Sequence, residues 1–287
     1  MSTLEATPLP STGRRSRPAV PALVAVLAAA AVALVALPLV GLVRRVTWTT
    51  LAEDLTSPAA LDALRLSLIT STTAAALAVA LGLPLAWVLA RAELPFTSVL
   101  RALILLPLVL PPVVGGVALL AAFSRDGLVG GPLHDLTATG GALAWLPGGP
   151  VQLTFTTAGA VLAETFVALP FFVLTVEGSL RSVDRRYEEA AACLGATPAR
   201  VLRRVTLPMV APAVAAGTVL AWARALGEFG ATLTFAGNVE GRTRTLPLEV
   251  YLALQDDPGR AVALSLVLLV VSLGVLVALR DRWLLRS

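Results

Sequence analysis

Lysine is absent from this chain of 287 residues, and all 22 of its basic residues are arginine. A nucleotide-binding P-loop ends in Gly-Lys-Ser or Gly-Lys-Thr, so the chain cannot hydrolyse ATP by that route. An enzyme that forms a Schiff base through a lysine is excluded for the same reason. The sequence shows no paired carboxylates and no nucleophile beside a base, so we do not expect the chain to be an enzyme.

Cysteine and histidine occur once each, as Cys193 and His134. A single cysteine permits no internal disulfide, and a single histidine permits no histidine metal cluster. We therefore expect no metal site and no cofactor in this chain. The net charge of +4 comes from arginines that flank apolar runs. No basic face is interleaved with stacking aromatic residues, so nucleic-acid binding is not expected.

Apolar side chains are what the sequence has in excess, at 57% of the residues and a mean hydropathy of +0.84. A soluble core of this size could not bury that much apolar surface, so the sequence predicts an all-α, polytopic membrane protein in contact with lipid. Residues 1–17 are polar and rich in Pro, Ser and Thr, and we expect a disordered tail. The membrane domain would be residues 18–287, with six spans at residues 18–43, 64–90, 102–123, 156–176, 209–232 and 261–279.

Proline and glycine interrupt two parts of this pattern. The third span contains LPLVLPPVVGG, and we expect Pro111 and Pro112 to kink it. Residues 140–150, GGALAWLPGGP, are apolar but rich in the helix breakers glycine and proline. This composition suits a re-entrant or interfacial piece better than a span. We expect residues 235–259 to form an irregular connection.

The distribution of arginine predicts the orientation. With a cytoplasmic amino terminus, fourteen arginines lie on the cytoplasmic side and seven outside, and Arg224 lies within a span. Since cytoplasmic loops carry the excess of positive charge, both termini are expected in the cytoplasm. The polar segment 181–208 then also lies in the cytoplasm.

That segment contains YEEAAACLGATPARVLRRVTLP, residues 187–208. The Glu and Ala residues favour a helix, Gly195 interrupts it, and Thr197-Pro198 begins a second helix as N-cap and first-turn residue. Arg200, Arg203 and Arg204 give the second helix a basic side. We expect it to end at Leu207-Pro208.

Ionisable residues within the spans are costly unless they pair or face a cavity, so they are candidates for function. Arg224 and Glu228 are four residues apart, close enough to pair along a helix, as a structural pair or in a substrate role. Glu164 lies either near the outer interface or along a pathway. Gly217, Ala221 and Ala225 form a small-residue stripe that favours close helix packing.

The polar segment resembles the EAA loop of ABC-importer permeases. The family pattern is Glu-Ala-Ala, three residues, Gly, nine residues, an aliphatic residue, one residue and Leu-Pro. In this chain those positions are Glu189, Ala190, Ala191, Gly195, Val205, Leu207 and Pro208. The family most often has Ile where this chain has Val205. The resemblance implies a type I permease fold with cytoplasmic coupling helices that dock on an ATPase subunit, formed here by Glu189, Ala190, Ala191, Gly195, Arg200, Arg203, Leu207 and Pro208.

Two stretches are similar to the molybdate-type permeases. They are LPLVLPPVVGG in the third span and GEFGATLTFAGNVEGRTRTLP, residues 227–247. The resemblance implies a homodimer in the cytoplasmic membrane, two ABC ATPase subunits that bind ATP and Mg²⁺, and an extracytoplasmic molybdate-binding protein. Neutral hydrogen-bond donors for the oxyanion are expected from Thr232, Thr234, Asn238, Thr243 and Thr245, and Arg242 and Arg244 are expected to attract it at the outer mouth. The expected translocation pathway comprises Pro111, Pro112, Arg224, Gly227, Glu228, Gly230, Thr232, Thr234 and Asn238.

Several alternatives stay open from the residues alone. The ligand could be tungstate, sulfate or thiosulfate, because spacing does not distinguish these oxyanions. The polar stretch after Gly237 could be an ordinary solvated connector. An ion-coupled secondary transporter would need internal inverted repeats, and none is convincing.

Overall fold

The computed structural model describes residues 21–92, 95–143 and 149–284. The expected disordered tail, residues 1–17, and residues 144–148 of the expected re-entrant piece lie outside the described residues. All regular structure within the described ranges is helical, as the sequence predicted.

Thirteen α-helices and one π-helical turn occur in the described parts of the chain. Their bounds are α1 Ala22–Arg44, α2 Leu51–Thr56, α3 Pro58–Arg91, α4 Thr97–Val109, α5 Pro112–Phe123, α6 Gly130–Thr137, α7 Thr157–Ser182, α8 Arg186–Cys193, α9 Pro198–Val201, the π-turn Leu202–Thr206, α10 Leu207–Leu226, α11 Gly230–Ala236, α12 Leu246–Asp256 and α13 Pro258–Leu284.

The chain divides into two compact units, residues 1–44 and residues 45–287. Within the first unit, α1 is an apolar helix of 23 residues, about 34 Å long at 1.5 Å per residue. A bilayer core is about 30 Å thick, so α1 is long enough to cross it.

The second unit holds four further helical segments that are long and apolar enough to cross a membrane. They are α3, α7, the continuous segment Pro198–Leu226 and the Pro258–Val275 part of α13. The pair α4 and α5 passes the same test only when counted as one broken span. The described chain therefore has five helices that are long and apolar enough to span a membrane, or six with the broken pair.

The third span is broken rather than kinked. α4 and α5 meet at an angle of 119°, with Leu110 and Pro111 between them. Leu110 precedes a proline and adopts an extended conformation with ψ of 134°, which prevents the helix from continuing. Pro111 and Pro112 also lack the N–H groups that would extend the hydrogen-bond ladder. The sequence located the break and underestimated its size.

Two other expected boundaries were wrong. The second coupling helix does not end at Leu207-Pro208, because α9, the π-turn and α10 run on without a break. The fifth span ends at Leu226 rather than residue 232, since Gly227 caps it and α11 begins separately. The connection 235–259, expected to be irregular, contains α12.

The core of the second unit lies where α3, α7 and α10 pack together. Phe172 of α7 is fully buried between glycines on the two neighbouring helices. A Cβ atom on Gly82 of α3 would lie 2.6 Å from Phe172 Cδ1, and one on Gly217 of α10 would lie 3.2 Å from Cδ2. Small residues therefore let the helices approach closely, as the stripe on α10 predicted.

Candidate functional site

The segment 181–208 forms two short helices joined by a glycine turn, as the sequence predicted. Gly195 adopts a φ of +82°, a conformation that L side chains rarely take. The Ala196 N–H donates to the Ala191 carbonyl at 3.1 Å, and the Gly195 N–H donates to the Ala192 carbonyl at 2.9 Å. These two bonds form a Schellman motif that ends α8 with Gly195 at its C′ position. Thr197 then precedes Pro198, the first residue of α9.

The π-turn carries the second helix past Pro208 into α10, and the segment Pro198–Leu226 is long and apolar enough to cross a membrane. Its i to i+5 bonds include the Leu207 N–H to the Leu202 carbonyl. Proline lacks an N–H and clashes with the preceding turn of a regular α-helix. The wider turn before Pro208 accommodates that defect, so α9, the π-turn and α10 form a single helical segment.

The two neighbouring glutamates of this segment face different surroundings. Glu189, which carries the resemblance to the EAA loop, is exposed to solvent. Glu188 points inward and accepts hydrogen bonds from Arg91 at 3.1 Å and from the Thr206 hydroxyl at 2.9 Å. Sequence reasoning missed the role of Glu188, because its partners are distant in the chain.

Most of the other predicted coupling residues lie on the outside of the segment. Ala190, Gly195, Arg200, Arg203 and Pro208 are exposed, and Ala191 and Leu207 are half-buried. Two large side chains of the same segment are also exposed, Tyr187 of α8 by 59% and Leu194, which follows α8, by 89%. Apolar groups so exposed beside charged ones are typical of a surface that contacts another protein.

A second buried carboxylate fastens the same end of the helix bundle. Glu177 of α7 is 4% exposed and accepts hydrogen bonds from Arg101 at 2.7 Å and from Arg181 at 2.9 Å. Arg181 also donates to the Leu89 carbonyl at 3.0 Å. These contacts tie the ends of α3, α4 and α7 together. Apart from the spacing of Glu177 and Arg181, no pattern in the sequence indicates them.

At membrane depth, the break between α10 and α11 brings the predicted Arg224–Glu228 pair together. Arg224 lies 2.7 Å from Glu228 in an ion pair. Glu228 is 1% exposed, and its other oxygen accepts the Ala231 N–H at 2.8 Å, at the start of α11. The pair is confirmed, although Glu228 lies beyond the end of α10 at Gly227. Its opposite charges cancel, so the pair does not present a net positive charge.

Three of the predicted pathway residues, Pro112, Gly230 and Thr234, lie where α5 packs on α11. A Cβ atom on Gly230 would lie 2.7 Å from Pro112 Cβ, and one on Gly116 would lie 2.5 Å from Thr234 Cβ. Thr234 donates to the Gly230 carbonyl, and Pro111 begins the same turn of α5. Thr232 is completely buried on α11, and its hydroxyl has no hydrogen-bond partner among the described residues.

Asn238 belongs to a different cluster. It follows Gly237, the end of α11, and accepts a hydrogen bond from Arg244 at 3.0 Å. Arg244 also pairs with Glu240 at 3.2 Å and lies 3.5 Å from Glu249. The expectation that Arg244 attracts an anion is therefore weakened, because carboxylates already balance its charge. Arg242 is exposed, and its carbonyl accepts the Thr157 hydroxyl at 2.8 Å.

The buried Thr243 hydroxyl accepts the Val239 N–H at 2.8 Å. The buried Thr245 hydroxyl has no hydrogen-bond partner within the described ranges. Neither hydroxyl is exposed, so neither is available to an oxyanion as a hydrogen-bond donor in this conformation.

Glu164 is buried inside the helix bundle. It is 1% exposed in the first half of α7 and accepts a hydrogen bond from the buried Thr70 of α3 at 2.8 Å. Its second oxygen has no partner among the described residues. Within these residues no group of three or more His, Cys, Asp or Glu side chains could hold a metal ion.

Comparison with known proteins gives a consistent family. Residues 78–286 match the family described as the binding-protein-dependent transport system inner membrane component. The molybdenum transport system permease protein of Mycobacterium tuberculosis is 50% identical over 243 residues, 85% of this chain and 87% of that protein. The sulfate transport system permease protein of Escherichia coli is 34% identical over 233 residues, 81% of this chain and 79% of that protein.

A solved bacterial ABC transporter that imports the acidic polysaccharide alginate has the same fold. Its matching chain superposes with a TM-score of 0.70 at 16% identity, and the match covers 91% of this chain and 94% of that chain. The EAA-type segment, the broken spans and these matches agree: the chain belongs to the family of inner-membrane permease components of binding-protein-dependent ABC transport systems.

Proposed function

We propose that this chain is the membrane-spanning subunit of an ATP-driven importer that moves molybdate into the cell. The observation that carries the proposal is the pairing of an exposed EAA-type turn with a continuous helix into the membrane. The 50% identity to a molybdenum permease supports the choice of substrate. Tungstate, a dianion of the same shape, is a second substrate of the same site.

The docking surface for the ATPase subunit would be the outer side of the segment 181–208. Tyr187, Glu189 and Leu194 project from it, and a Cβ atom added to Gly195 would meet no other atom within 4 Å. Arg200 and Arg203 form its charged rim. The chain has no lysine with which to build a P-loop, so ATP and Mg²⁺ would be bound by the two partner ATPase subunits.

The substrate route would pass the α5–α11 contact, at the interface of two copies of this chain. An oxyanion in transit needs hydrogen-bond donors but no strong fixed site, or it would be trapped. The buried Thr232 hydroxyl has no partner among the described residues and would be free to donate once this contact opens, and Arg224 is already balanced by Glu228. Such a lining suits weak, passing contacts.

Transport would follow alternating access. Closure of the ATPase dimer would draw the two docked turns together, and the segment Pro198–Leu226 would carry that movement into the membrane. α10 and the α4–α5 pair would then move between inward-open and outward-open arrangements as rigid bodies. The binding protein would deliver the oxyanion on the outer side, and both termini would lie in the cytoplasm.

Reconstitution tests the substrate. The chain, its ATPase subunit and its binding protein are placed in proteoliposomes, and ATP-dependent uptake of molybdate, tungstate and sulfate is measured. We expect molybdate uptake to persist when sulfate is present at about a tenfold excess. An excess of this order is large enough to reveal weak competition. Preferential sulfate uptake would favour the sulfate-type alternative. Uptake driven by an ion gradient without the ATPase would instead identify a secondary transporter.

Two substitutions of Gly195 test the docking surface. Gly195→Trp meets open space within the chain, but its indole would project into the docked partner. Any L side chain is strained at the positive φ of Gly195, so Gly195→Ala, which shares that strain and adds only one methyl group, is the matched control. We expect Gly195→Trp to insert normally and to lose both ATPase association and transport, whereas Gly195→Ala keeps most of both. Full transport by Gly195→Trp would contradict the docking model.

A further inference from the structure

A single carboxylate joins the coupling segment to two membrane helices. Glu188 Oε1, on α8, accepts hydrogen bonds from Arg91 Nη2 at 3.1 Å and from Thr206 Oγ1 at 2.9 Å. Arg91 is the last residue of α3, and Thr206 is the last residue of the π-turn that leads into α10. We call this cluster of Glu188, Arg91 and Thr206 the Glu188 latch.

The Glu188 latch is shielded from water. The side chains of Arg91 and Glu188 are 7% and 19% exposed, and Thr206 is 1% exposed. Exposed ion pairs contribute little because water and salt screen them, whereas a buried pair is costly to break once formed. The Arg91 guanidinium also donates to the Val183 carbonyl at 3.3 Å, which fixes the chain just before α8.

Without the Glu188 latch, α8 would be held mainly through its ends. Residues 183–185 connect it to α7, and the turn at Gly195 connects it to α9. Its outer neighbours are solvent, since Tyr187, Glu189 and Leu194 are exposed. A short helix with such links can rotate without moving the membrane helices.

We propose that Glu188 is a positioning residue that makes α8, the end of α3 and the start of α10 move as one body. This inference rests on the proposed function, because it concerns how a docked ATPase subunit drives transport. Glu189 is exposed for docking, and Glu188 transmits the resulting movement. The two adjacent carboxylates therefore have separate roles.

The test compares Glu188→Gln with Glu189→Gln in the reconstituted complex with ATPase and binding protein. Glu188→Gln keeps the shape of the side chain and removes its charge. We expect Glu188→Gln to bind the ATPase subunit as the unsubstituted chain does. The number of molybdate ions moved per ATP hydrolysed should fall about tenfold, the effect of losing one charge-assisted hydrogen bond. Glu189→Gln should instead weaken ATPase association.

Two further variants separate transmission from folding. Thr206→Val removes one hydrogen bond of the Glu188 latch and leaves the ion pair, so it should lower the transport-to-hydrolysis ratio less. The double variant Arg91→Glu with Glu188→Arg restores opposite charges and should recover part of the ratio lost in each single variant. A spin label on Cys193, the exposed last residue of α8, should become more mobile in Glu188→Gln.

The inference is overturned if Glu188→Gln transports with an unchanged ratio, or if it loses ATPase association as Glu189→Gln does. It is also overturned if Thr206→Val leaves both the ratio and the label mobility unchanged. Failure of the proposed function has a different signature. In that case neither Glu189→Gln nor Gly195→Trp affects ATPase association.

Discussion

Glu164 shows what a buried carboxylate requires at the scale of one residue. One of its oxygens is bonded by Thr70, and the other has no partner among the described residues. Burial of a polar group without a hydrogen bond costs free energy, so the single bond from Thr70 matters more than a surface bond would. Glu164 is therefore held in place chiefly by one hydroxyl on the neighbouring helix.

Replacing Thr70 with valine should destabilise the protein measurably. Thr70→Val keeps the volume and removes the donor to Glu164, with an expected loss of about 1–3 kcal/mol in the free energy of unfolding. Thr73→Val is the matched control on the same helix, because Thr73 is exposed and donates only to the Ile69 carbonyl. Thermal unfolding in detergent compares the two. Equal midpoints would show that the Thr70–Glu164 bond is energetically unimportant.

The sequence predicted the roles of residues that depend on their neighbours in the chain. It did not predict contacts between residues that are far apart in the chain. Gly195 could be placed in a turn because its neighbours favour helix on both sides. The Arg224–Glu228 pair followed from its spacing of four residues. Glu188 could not be distinguished from Glu189, because its partner Arg91 lies 97 positions away.

At the scale of elements, the helices pack through glycine rather than through interlocking large side chains. Phe172 occupies the space that the missing side chains of Gly82 and Gly217 leave between α3, α7 and α10. Aliphatic groups gain little by leaving lipid, so close van der Waals contact must supply the association energy. Added volume at this contact should separate the helices.

Gly82→Ala tests that packing. The new Cβ atom would lie 2.6 Å from the Phe172 ring, which is fully buried and has little room to move. We expect the free energy of unfolding to fall by about 1–3 kcal/mol, as for other overpacked sites. Gly178→Ala on α7 meets no atom within 4 Å and should be neutral or slightly stabilising. A stable Gly82→Ala variant would mean that Phe172 can shift.

Helices with a continuous apolar pattern were predicted well. Helix boundaries near proline were predicted less well. α7 and α13 agree with their expected spans to within a few residues at most boundaries. Pro208 was expected to end a helix, but the π-turn before it allows the helix to continue. α12 was missed because its apolar residues are interspersed with Glu249 and Gln255 in a stretch rich in loop signals.

At the scale of the whole molecule, the arginine asymmetry and the EAA-type segment make the same prediction. Both place the segment 181–208 in the cytoplasm. Cys193 is exposed in that segment and is the only cysteine of the chain, so the natural sequence carries its own reporter.

A membrane-impermeant maleimide should therefore label Cys193 in inside-out vesicles and not in right-side-out vesicles. Arg242→Cys in a Cys193→Ser background is the opposite control, because residue 242 is exposed on the other side of the predicted topology. In inside-out vesicles, added ATPase subunit should protect Cys193 from the reagent. Labelling of Cys193 from the outside would reverse the orientation.

The break between α4 and α5 also restricts the surroundings of this side of the bundle. Pro111 and Pro112 have no N–H, so the carbonyl oxygens of Pro107 and Leu108 lack the donors that a continuous helix would supply. Hydrocarbon offers no donor to those oxygens. A neighbouring helix, water or another polypeptide must supply the donors, so acyl chains alone cannot surround these two carbonyl groups.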